Sequence, residues 1–269
     1  MAVTHPAHGR IASAVLLILL IVGMAQPAPA GRDLLPRVGI AAVSSAEMDP
    51  LAAGLADVEQ VRVDGVPYTT GTVDGRPVVL IQAGPGMVNA AARVQHALDR
   101  FTISHLIFSG AAGALEPGLA PGQVVVPRRW VNHQFGAITG EGVEPLPLHV
   151  YPASGEPMQV DGFDVDPELF ALAQRVDGVF AGGVGVSGDV FIRSSTARED
   201  LASRFAARIV DMESAAAAQV ALLNGVPFLA VRAVSDDAGD TATAHIEAQI
   251  AQAGHAAARA VLELVRALP

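Results

Sequence analysis

Three carboxylates in this sequence are its strongest candidates for chemistry. Glu47, Glu213 and Asp236 each follow an apolar run of the kind that forms a buried strand. In an open α/β sheet, ligands bind beyond the carboxyl ends of the strands, so acids that are distant in sequence can converge on one pocket. Carboxylates around a pocket are the groups that general acid and base catalysis uses. Each acid also has an ordinary interpretation, because acids are favoured in first helical turns, where they cap free N–H groups.

The elements that would position these acids alternate between strands and helices. Asp74 and Gly75 separate two strand-like segments and predict a hairpin. Residues 132–167 are rich in Gly and Pro without a clear period, which predicts a long surface excursion. The order predicts a single α/β layer sandwich with a mostly buried central sheet. The predicted segments are 38–43, 66–73, 77–83, 106–108, 123–127 and 228–234 as strands, a stretch from residue 47, 88–98, 214–223 and 244–268 as helices, and 168–176, 182–186, 197–205 and 209–210 as further helix-like and strand-like segments.

The composition excludes several classes of function. With 51% hydrophobic and 16% charged residues, the 269-residue chain is not disordered. Its 27 acidic and 17 basic residues give a net charge of -10, which argues against nucleic acid as a partner. The absence of Cys excludes disulfides, Cys-ligated zinc and thiol catalysis. The sequence contains no Walker loop or Gly-x-Gly-x-x-Gly fingerprint, Ser187 lacks the final glycine of a nucleophile elbow, and the eight His residues form no metal-binding pair. We therefore expect neither a metal nor a cofactor.

The first thirty residues are typical of a secretory signal peptide. Arg10 precedes an apolar run at 11–24, and small residues ending in Ala-x-Ala follow it. The run is shorter than the roughly 20 residues that span a bilayer as a helix. We therefore expect cleavage after Ala30, one domain over 31–269, and an exported protein, periplasmic or secreted, that does not contact the membrane after cleavage. The alternative is an uncleaved anchor.

Five stretches resemble one known superfamily, the purine nucleoside phosphorylases and nucleosidases. They are SGAAG at 109–113 after a buried strand, VDMESAA at 210–216, VRAVSD at 231–236, SGDVFI at 187–192, and the segment 38–55. The last two are similar to the branch of 5'-methylthioadenosine/S-adenosylhomocysteine nucleosidases. The resemblance spans about residues 37–268. It implies a three-layer α/β/α sandwich around a central mixed β-sheet, and it implies hydrolysis of the N-ribosidic bond of an adenine nucleoside with release of adenine.

The resemblance also implies a role for each matching residue. The acid at Asp236 protonates the purine at N7, and Glu47 removes a proton from the attacking water. Glu213 binds the ribose hydroxyls. The further implied contacts are Met212 on the sugar, Phe191 stacked on the base, the Ile192 backbone on the Watson–Crick edge, Arg232 orienting the acids or the water, Ser235 fixing Asp236, Ala111 and Gly113 in a turn on the ribose side, and Gly84 with Gly86 in a tight turn near the site. The alternatives are a plain buried ion pair for Arg232 and core packing for Phe191.

Two other functions on the same scaffold remain open at this point. A phosphorylase needs cationic and hydroxyl groups for phosphate. The bacterial phosphorylases carry an Arg where this chain has residues 44–47, and an Arg and a Ser where it has Phe108 and Ala111. Hydrolysis is therefore favoured over phosphorolysis. A non-catalytic binding or storage protein is the third possibility. The expected partners are a nucleoside and water, with a homodimer as the expected assembly.

Overall fold

The computed structural model of the protein describes residues 31–140, 142–153, 155–240, 242 and 246–269. The predicted signal peptide and the predicted start of the closing helix at residue 244 lie outside the described residues. The strands are β1 Asp33–Ala42, β2 Ala56–Val63, β3 Val66–Val73, β4 Arg76–Gln82, β5 Phe101–Ala114, β6 Val124–Val126, β7 Arg129–Asn132, β8 Gly136–Thr139, β9 Gly142–Pro145, β10 Leu148–Val150, β11 Met158–Val160, β12 Phe163–Asp164, β13 Val179–Ala181, β14 Val184–Ser187, β15 Ala207–Asp211 and β16 Phe228–Asp236. The helices are α1 Ser45–Ala53, α2 Met87–Arg100, α3 Pro167–Ala173, α4 Ser195–Phe205, α5 Ser214–Asn224 and α6 Ile246–Ala267.

A mixed sheet forms the centre of the molecule. Its strands follow the order β12-β7-β14-β15-β5-β1-β4-β3-β2, and β16 joins it beside β5 and β6. The pairs β1/β4, β1/β5, β14/β15 and β16/β5 are parallel, whereas β15/β5, β2/β3 and β3/β4 are antiparallel. The long strand β5 pairs with three others, so the ends of β15 and β16 meet at its carboxyl end. This junction is where two of the three candidate acids lie.

The helices pack in two groups. Helix α1 contacts α6, which lies along β5 and β16, and helix α2 contacts α5. The buried face of α2 consists of Ala90, Val94, Ala97 and Leu98, at the spacing of one helical stripe. Small alanines dominate α5 and α6, and they allow these helices to approach their neighbours closely. The predicted three-layer α/β/α fold with a mixed central sheet is confirmed.

The structure differs from the sequence predictions at several elements. The stretch 109–113 is not a turn but the carboxyl end of β5. The excursion at 132–167 contains two small hairpins, β8/β9 and β10/β11, and a strand that joins the main sheet. Strands β2, β7 and β13 were not expected. The predicted hairpin at Asp74 and Gly75 is confirmed, and both residues adopt positive φ, 49° and 78°. None of the helices formed by the described residues has the length and apolar character needed to cross a membrane.

Candidate active site

One cavity gathers all three candidate acids. It has a volume of about 310 Å³ and lies where β5, β15 and β16 end, beside the first turn of α1 and the start of α6. Its lining consists of Val43, Ser44, Glu47, Pro85, Ala111, Ala112, Gly113, Phe191, Val210, Asp211, Met212, Glu213, Arg232, Ser235, Asp236, Ile246 and Ile250. The wall is largely apolar, with carboxylates at separate points. Among the described residues no group of His, Asp and Glu has the arrangement of a metal site.

Glu47 is held rigidly at the start of α1. Its Oε2 accepts hydrogen bonds from the backbone N–H groups of Val43 and Ser44, both at 3.0 Å, and its Oε1 accepts from the N–H of Ala111 at 2.8 Å. The side chain is buried. Glu47 therefore does cap its helix, as the ordinary interpretation of a first-turn acid requires, and it also faces the cavity. Capping and chemistry are compatible here because the capping fixes the carboxylate in place.

Glycines in β5 make room for the functional side chains of β16. The register pairs Gly110 with Arg232 and Gly113 with Asp236. A Cβ on Gly110 would lie 2.5 Å from Arg232 Nη1 and 2.7 Å from Glu47 Oε1, and a Cβ on Gly113 would lie 3.2 Å from Asp236 Oδ1. Gly110 thus has no space for a side chain unless Arg232 and Glu47 move, and the space at Gly113 is tight. Glu47 and Asp236 therefore approach the same strand at different residues and line the cavity at separate points.

Arg232 is the buried cation of the site. Its Nε lies 2.9 Å from Asp211 Oδ2 and 3.0 Å from Ser214 Oγ, and its Nη2 lies 3.6 Å from Glu213 Oε2. Its guanidinium also stacks on Phe108, with 4.5 Å from Cζ to the ring centroid. Burial of a charge is costly unless it is paired in this way. Arg232 lines the cavity and also forms a buried ion pair with Asp211. The catalytic and the structural interpretations of this residue are therefore compatible.

Asp211 was missed by the sequence analysis. It is buried at the end of β15, and its Oδ1 accepts from Ser187 Oγ at 2.5 Å and from the N–H groups of Glu213 and Ser214, both at 3.1 Å. These bonds fix the turn that carries Glu213, while Oδ2 neutralises Arg232. The signal was present in the sequence, since an acid two residues before Glu213 ends an apolar strand in the same way as the other candidates.

Glu213 is poised between its charged and neutral forms. Burial raises its pKa to about 7, and the neighbouring Asp211 and Glu47 act in the same direction, while Arg232 and the hydrogen bond from Gly86 oppose them. Its Oε1 accepts from the N–H of Gly86 at 2.9 Å. Glu213 therefore joins the loop before α2 to the carboxyl end of β15, and it presents the other carboxylate oxygen near Arg232.

Asp236 lies in an environment that favours its protonated form more than water does. Burial raises its pKa, and the neighbouring Asp237 adds to the effect, while hydrogen bonds from Ser235 and the Ala238 N–H oppose it. Ser235 Oγ lies 2.7 Å from Asp236 Oδ2 and 3.2 Å from the carbonyl of Ala112. One hydroxyl proton cannot serve both acceptors, so a protonated Asp236 donates to Ser235 while Ser235 donates to Ala112. This arrangement accommodates either protonation state of the acid.

The remaining predicted residues lie at or near the same cavity. Met212 and Phe191 line it, and Phe191 is 43% exposed, so it is not a core aromatic. Ile192 lines a small adjoining hollow of about 30 Å³ that shares Phe191, Met212 and Asp236 with the main cavity. Gly84 is not among the lining residues, because Pro85 is the residue of that turn that faces the cavity. Gly84 instead supplies the turn with a φ of 80°.

The class of protein follows from the fold, the site and the sequence together. A sequence model described as the phosphorylase superfamily matches residues 37–266. The chain belongs to this superfamily.

Individual relatives narrow the class. The 5'-methylthioadenosine/S-adenosylhomocysteine nucleosidase of Mycobacterium tuberculosis (strain CDC 1551 / Oshkosh) is 30% identical over 250 residues, covering 86% of this chain and 97% of the relative. The solved structure of the same enzyme from S. pneumoniae, with the transition-state inhibitor MT-ImmA, has a TM-score of 0.76 at 30% identity and covers 87% of this chain and 100% of its own. That from Neisseria meningitidis, with methylthio-immucillin-A, has a TM-score of 0.76 at 28% identity with the same coverage. Within the superfamily, the chain belongs to the 5'-methylthioadenosine/S-adenosylhomocysteine nucleosidases.

Proposed function

We propose that the protein hydrolyses the N-ribosidic bond of adenine nucleosides such as 5'-methylthioadenosine or S-adenosylhomocysteine and releases adenine. The observation that carries the proposal is the meeting of three buried carboxylates, Glu47, Glu213 and Asp236, around one cavity of about 310 Å³. The relatives with this fold are named as nucleosidases of these substrates.

Asp236 is the general acid. Cleavage of an N-ribosidic bond leaves positive charge on the sugar and negative charge on the departing base, and an enzyme gains rate by stabilising these charges as they form. Burial raises the pKa of Asp236, which favours the protonated form that gives its proton to the purine at N7. After the transfer, the Ser235 hydroxyl donates a hydrogen bond to the ionised Asp236, at 2.7 Å, and so stabilises the carboxylate.

Glu47 is the general base for water. Three backbone N–H groups hold its carboxylate toward the cavity, so its orientation does not have to be established during the reaction. In this role Glu47 takes a proton from the water as the water attacks the sugar carbon that the purine leaves.

The other cavity residues bind the nucleoside. Glu213 accepts hydrogen bonds from the ribose hydroxyls, and its negative charge stabilises the cationic sugar. Met212 packs on the sugar, Phe191 stacks on the base, and the Ile192 backbone binds the base edge. Arg232 orients Glu213 through their 3.6 Å contact and is itself held by Asp211. Ala111 contributes its backbone, through the N–H that binds Glu47.

Water is favoured over phosphate as the nucleophile. Within the described part of the chain, Arg232 is the one cation that lines the cavity, and Asp211 pairs with it at 2.9 Å. The other charged groups there are carboxylates, which repel an anion. A phosphate would thus lose its hydration without gaining a free cationic partner.

The setting of the protein is also part of the proposal. Residues 1–30 support export to the periplasm or beyond, because they have the pattern of a signal peptide. Exposed apolar side chains on and near the excursion, among them Phe135, Ile138 and Leu146, support a homodimer, since such surface is commonly buried in an interface.

Product analysis tests the proposed function. The mature protein is incubated with methylthioadenosine, adenosine or inosine, with and without phosphate, and the products are separated by chromatography. Free adenine and free sugar without phosphate are the expected result. Sugar 1-phosphate formed only with phosphate would show a phosphorylase instead. Ligand binding without any product would show a non-catalytic binding or storage protein.

A further inference from the structure

The segment that carries Phe191 has few attachments to the rest of the molecule. It follows β14 and precedes α4 without regular structure. In the described part of the chain, residues 190–193 make no hydrogen bond, and Val190 and Phe191 are each 43% exposed. The N-cap Ser194 anchors the far end by accepting from the N–H of Ala197 at 3.3 Å. The near end depends on Asp189.

Asp189 links three separate segments. Its Oδ1 accepts from the N–H of Met87, the first residue of α2, at 2.7 Å, and its own N–H donates to Gln134 Oε1 at 2.5 Å. The preceding N–H, that of Gly188, donates to the carbonyl of Asp211 at 3.2 Å. Asp189 is therefore the last anchored residue before Phe191, and its carboxylate lies at the positive end of α2.

The bond from Met87 to Asp189 lies next to a bond that holds Glu213, the predicted ribose-binding residue. The neighbouring N–H of Gly86 donates to Glu213, so consecutive backbone N–H groups bind one carboxylate from the cavity and one from the Phe191 segment. Gly86 adopts a φ of 93°, and a Cβ there would lie 2.9 Å from Asp189 Oδ1. A Cβ on Gly188 would lie 2.8 Å from Oε1 of Gln134, the atom that accepts the Asp189 N–H. Both glycines therefore allow the close contacts that Asp189 makes.

We propose that Asp189 is a positioning residue of the active site, which fixes the Phe191 segment against the first turn of α2 and so holds the base wall and the ribose wall of the cavity together. This inference rests on the proposed function of the cavity. Asp189 does not line the cavity, so it acts on the bound base through Phe191, whose segment it holds to the first turn of α2. Without its bond to Met87, the free segment would sample other positions, and Phe191 would stack on the base in a smaller fraction of molecules.

A matched control separates positioning from stability. Asp166 is the N-cap of α3, and its carboxylate accepts from the N–H groups of Glu168 and Leu169. Like Asp189, it binds a helix N-terminus from an exposed loop, but α3 lies away from the cavity lining. Asp166→Ala therefore reports what the loss of a helix cap does by itself.

The test measures KM and kcat for methylthioadenosine, and the Kd of adenine by calorimetry, in Asp189→Ala, Asp189→Asn, Asp166→Ala, Phe191→Ala and the double variant D189A/F191A. We expect Asp189→Ala to raise KM and the adenine Kd about fivefold to tenfold, because fewer molecules hold Phe191 in its binding position, with a smaller change in kcat. Asp189→Asn keeps an acceptor for Met87 and recovers part of the loss. Asp166→Ala leaves KM unchanged, and the double variant is no worse than Phe191→Ala, because Asp189 acts through Phe191.

Three results would overturn the inference. One is an Asp189→Ala enzyme with the KM and adenine Kd of Asp166→Ala. Another is a double variant in which the two losses multiply, which would mean independent action. If Asp189→Ala does not fold, an Asp189→Leu variant, which is similar in size but has no acceptor for the Met87 N–H, takes its place, and unchanged KM and adenine Kd in that variant overturn the inference as well. Adenine binding makes the test independent of turnover: a wild-type protein that binds adenine without hydrolysing nucleosides contradicts the proposed function, while the Asp189 comparison still decides the inference.

Discussion

Replacement of Glu47 by Gln tests the base at the centre of the mechanism. The carboxylate accepts two backbone N–H groups on Oε2 and one on Oε1. An amide of the same shape has one acceptor oxygen and one NH₂ donor. If the amide oxygen faces Val43 and Ser44, the NH₂ group faces the N–H of Ala111, and two donors meet. The substitution therefore removes the base and also leaves one buried N–H without an acceptor.

Both losses have a magnitude. A general base contributes about 10²–10⁴-fold to the rate, so kcat of Glu47→Gln falls by that factor. An unsatisfied buried N–H costs about 1–3 kcal/mol in the free energy of unfolding, which lowers Tm by roughly 2–12 °C in a domain of this size. At 25 °C a loss of this size leaves almost all of the protein folded. Unfolding therefore cannot account for the expected fall in kcat. Rate and stability therefore separate the chemical effect from the structural one.

The assay is adenine release from methylthioadenosine at saturating substrate, together with thermal unfolding of each variant. Asp166→Ala, which removes a helix cap away from the cavity, serves as the control with comparable loss of stability and unchanged kcat. A Glu47→Gln enzyme that keeps more than about a tenth of the wild-type kcat would refute the assignment of the base, since the expected loss is at least about a hundredfold.

Three further predictions concern the same cluster. Asp236→Asn removes adenine release but leaves nucleoside binding by calorimetry within about tenfold, because Asn is nearly isosteric but has no acidic proton. Glu213→Gln raises the free energy of unfolding at pH 8 but not at pH 4. Burial raises the Glu213 pKa from 4.5 to about 7, so the stability of the wild type that is present below pH 4.5 is lost as the pH rises through 7. Gln does not titrate, so the variant does not lose this stability. Gly110→Ala lowers kcat more than about tenfold and costs about 1–3 kcal/mol in denaturant unfolding, because its Cβ displaces Arg232 and Glu47.

Each of these predictions has a contradicting outcome. Unchanged turnover by Asp236→Asn would refute its acid role. An equal stability difference between Glu213→Gln and wild type at both pH values would mean that Glu213 does not change its charge on folding. A Gly110→Ala enzyme with wild-type kcat would mean that the close approach of Arg232 and Glu47 does not matter to the reaction.

The site acids could be predicted from sequence because each stands at a strand end. Glu47, Glu213 and Asp236 follow apolar runs whose carboxyl ends meet in an open sheet, and the structure brings all three to one cavity. The resemblance supplied their roles, which position alone could not. Asp211 is harder to single out, because it lies two residues before Glu213 and the sequence does not show which of two adjacent acids faces the cavity.

The elements that could be predicted are those whose buried residues form a regular apolar pattern in the sequence. The buried half of β1, residues 38–42, and the first four residues of β16, 228–231, are apolar runs, and α2 shows a helical stripe. Strand β2 was not predicted because it is an exposed edge strand with charged residues along it. Its apolar residues do not alternate clearly with polar ones. The stretch 109–113 looked like a turn because of its glycines, whereas in β5 two of those glycines make room for side chains of β16.

A crystal structure with methylthio-immucillin-A bound would test the central claim most directly. We expect the inhibitor to occupy the cavity, with Asp236 hydrogen-bonded to the base analogue, Glu213 to the sugar-ring hydroxyls, and Glu47 facing a water on the opposite side. Binding outside this cavity, or any of the three carboxylates turned to bulk solvent in the complex, would contradict it.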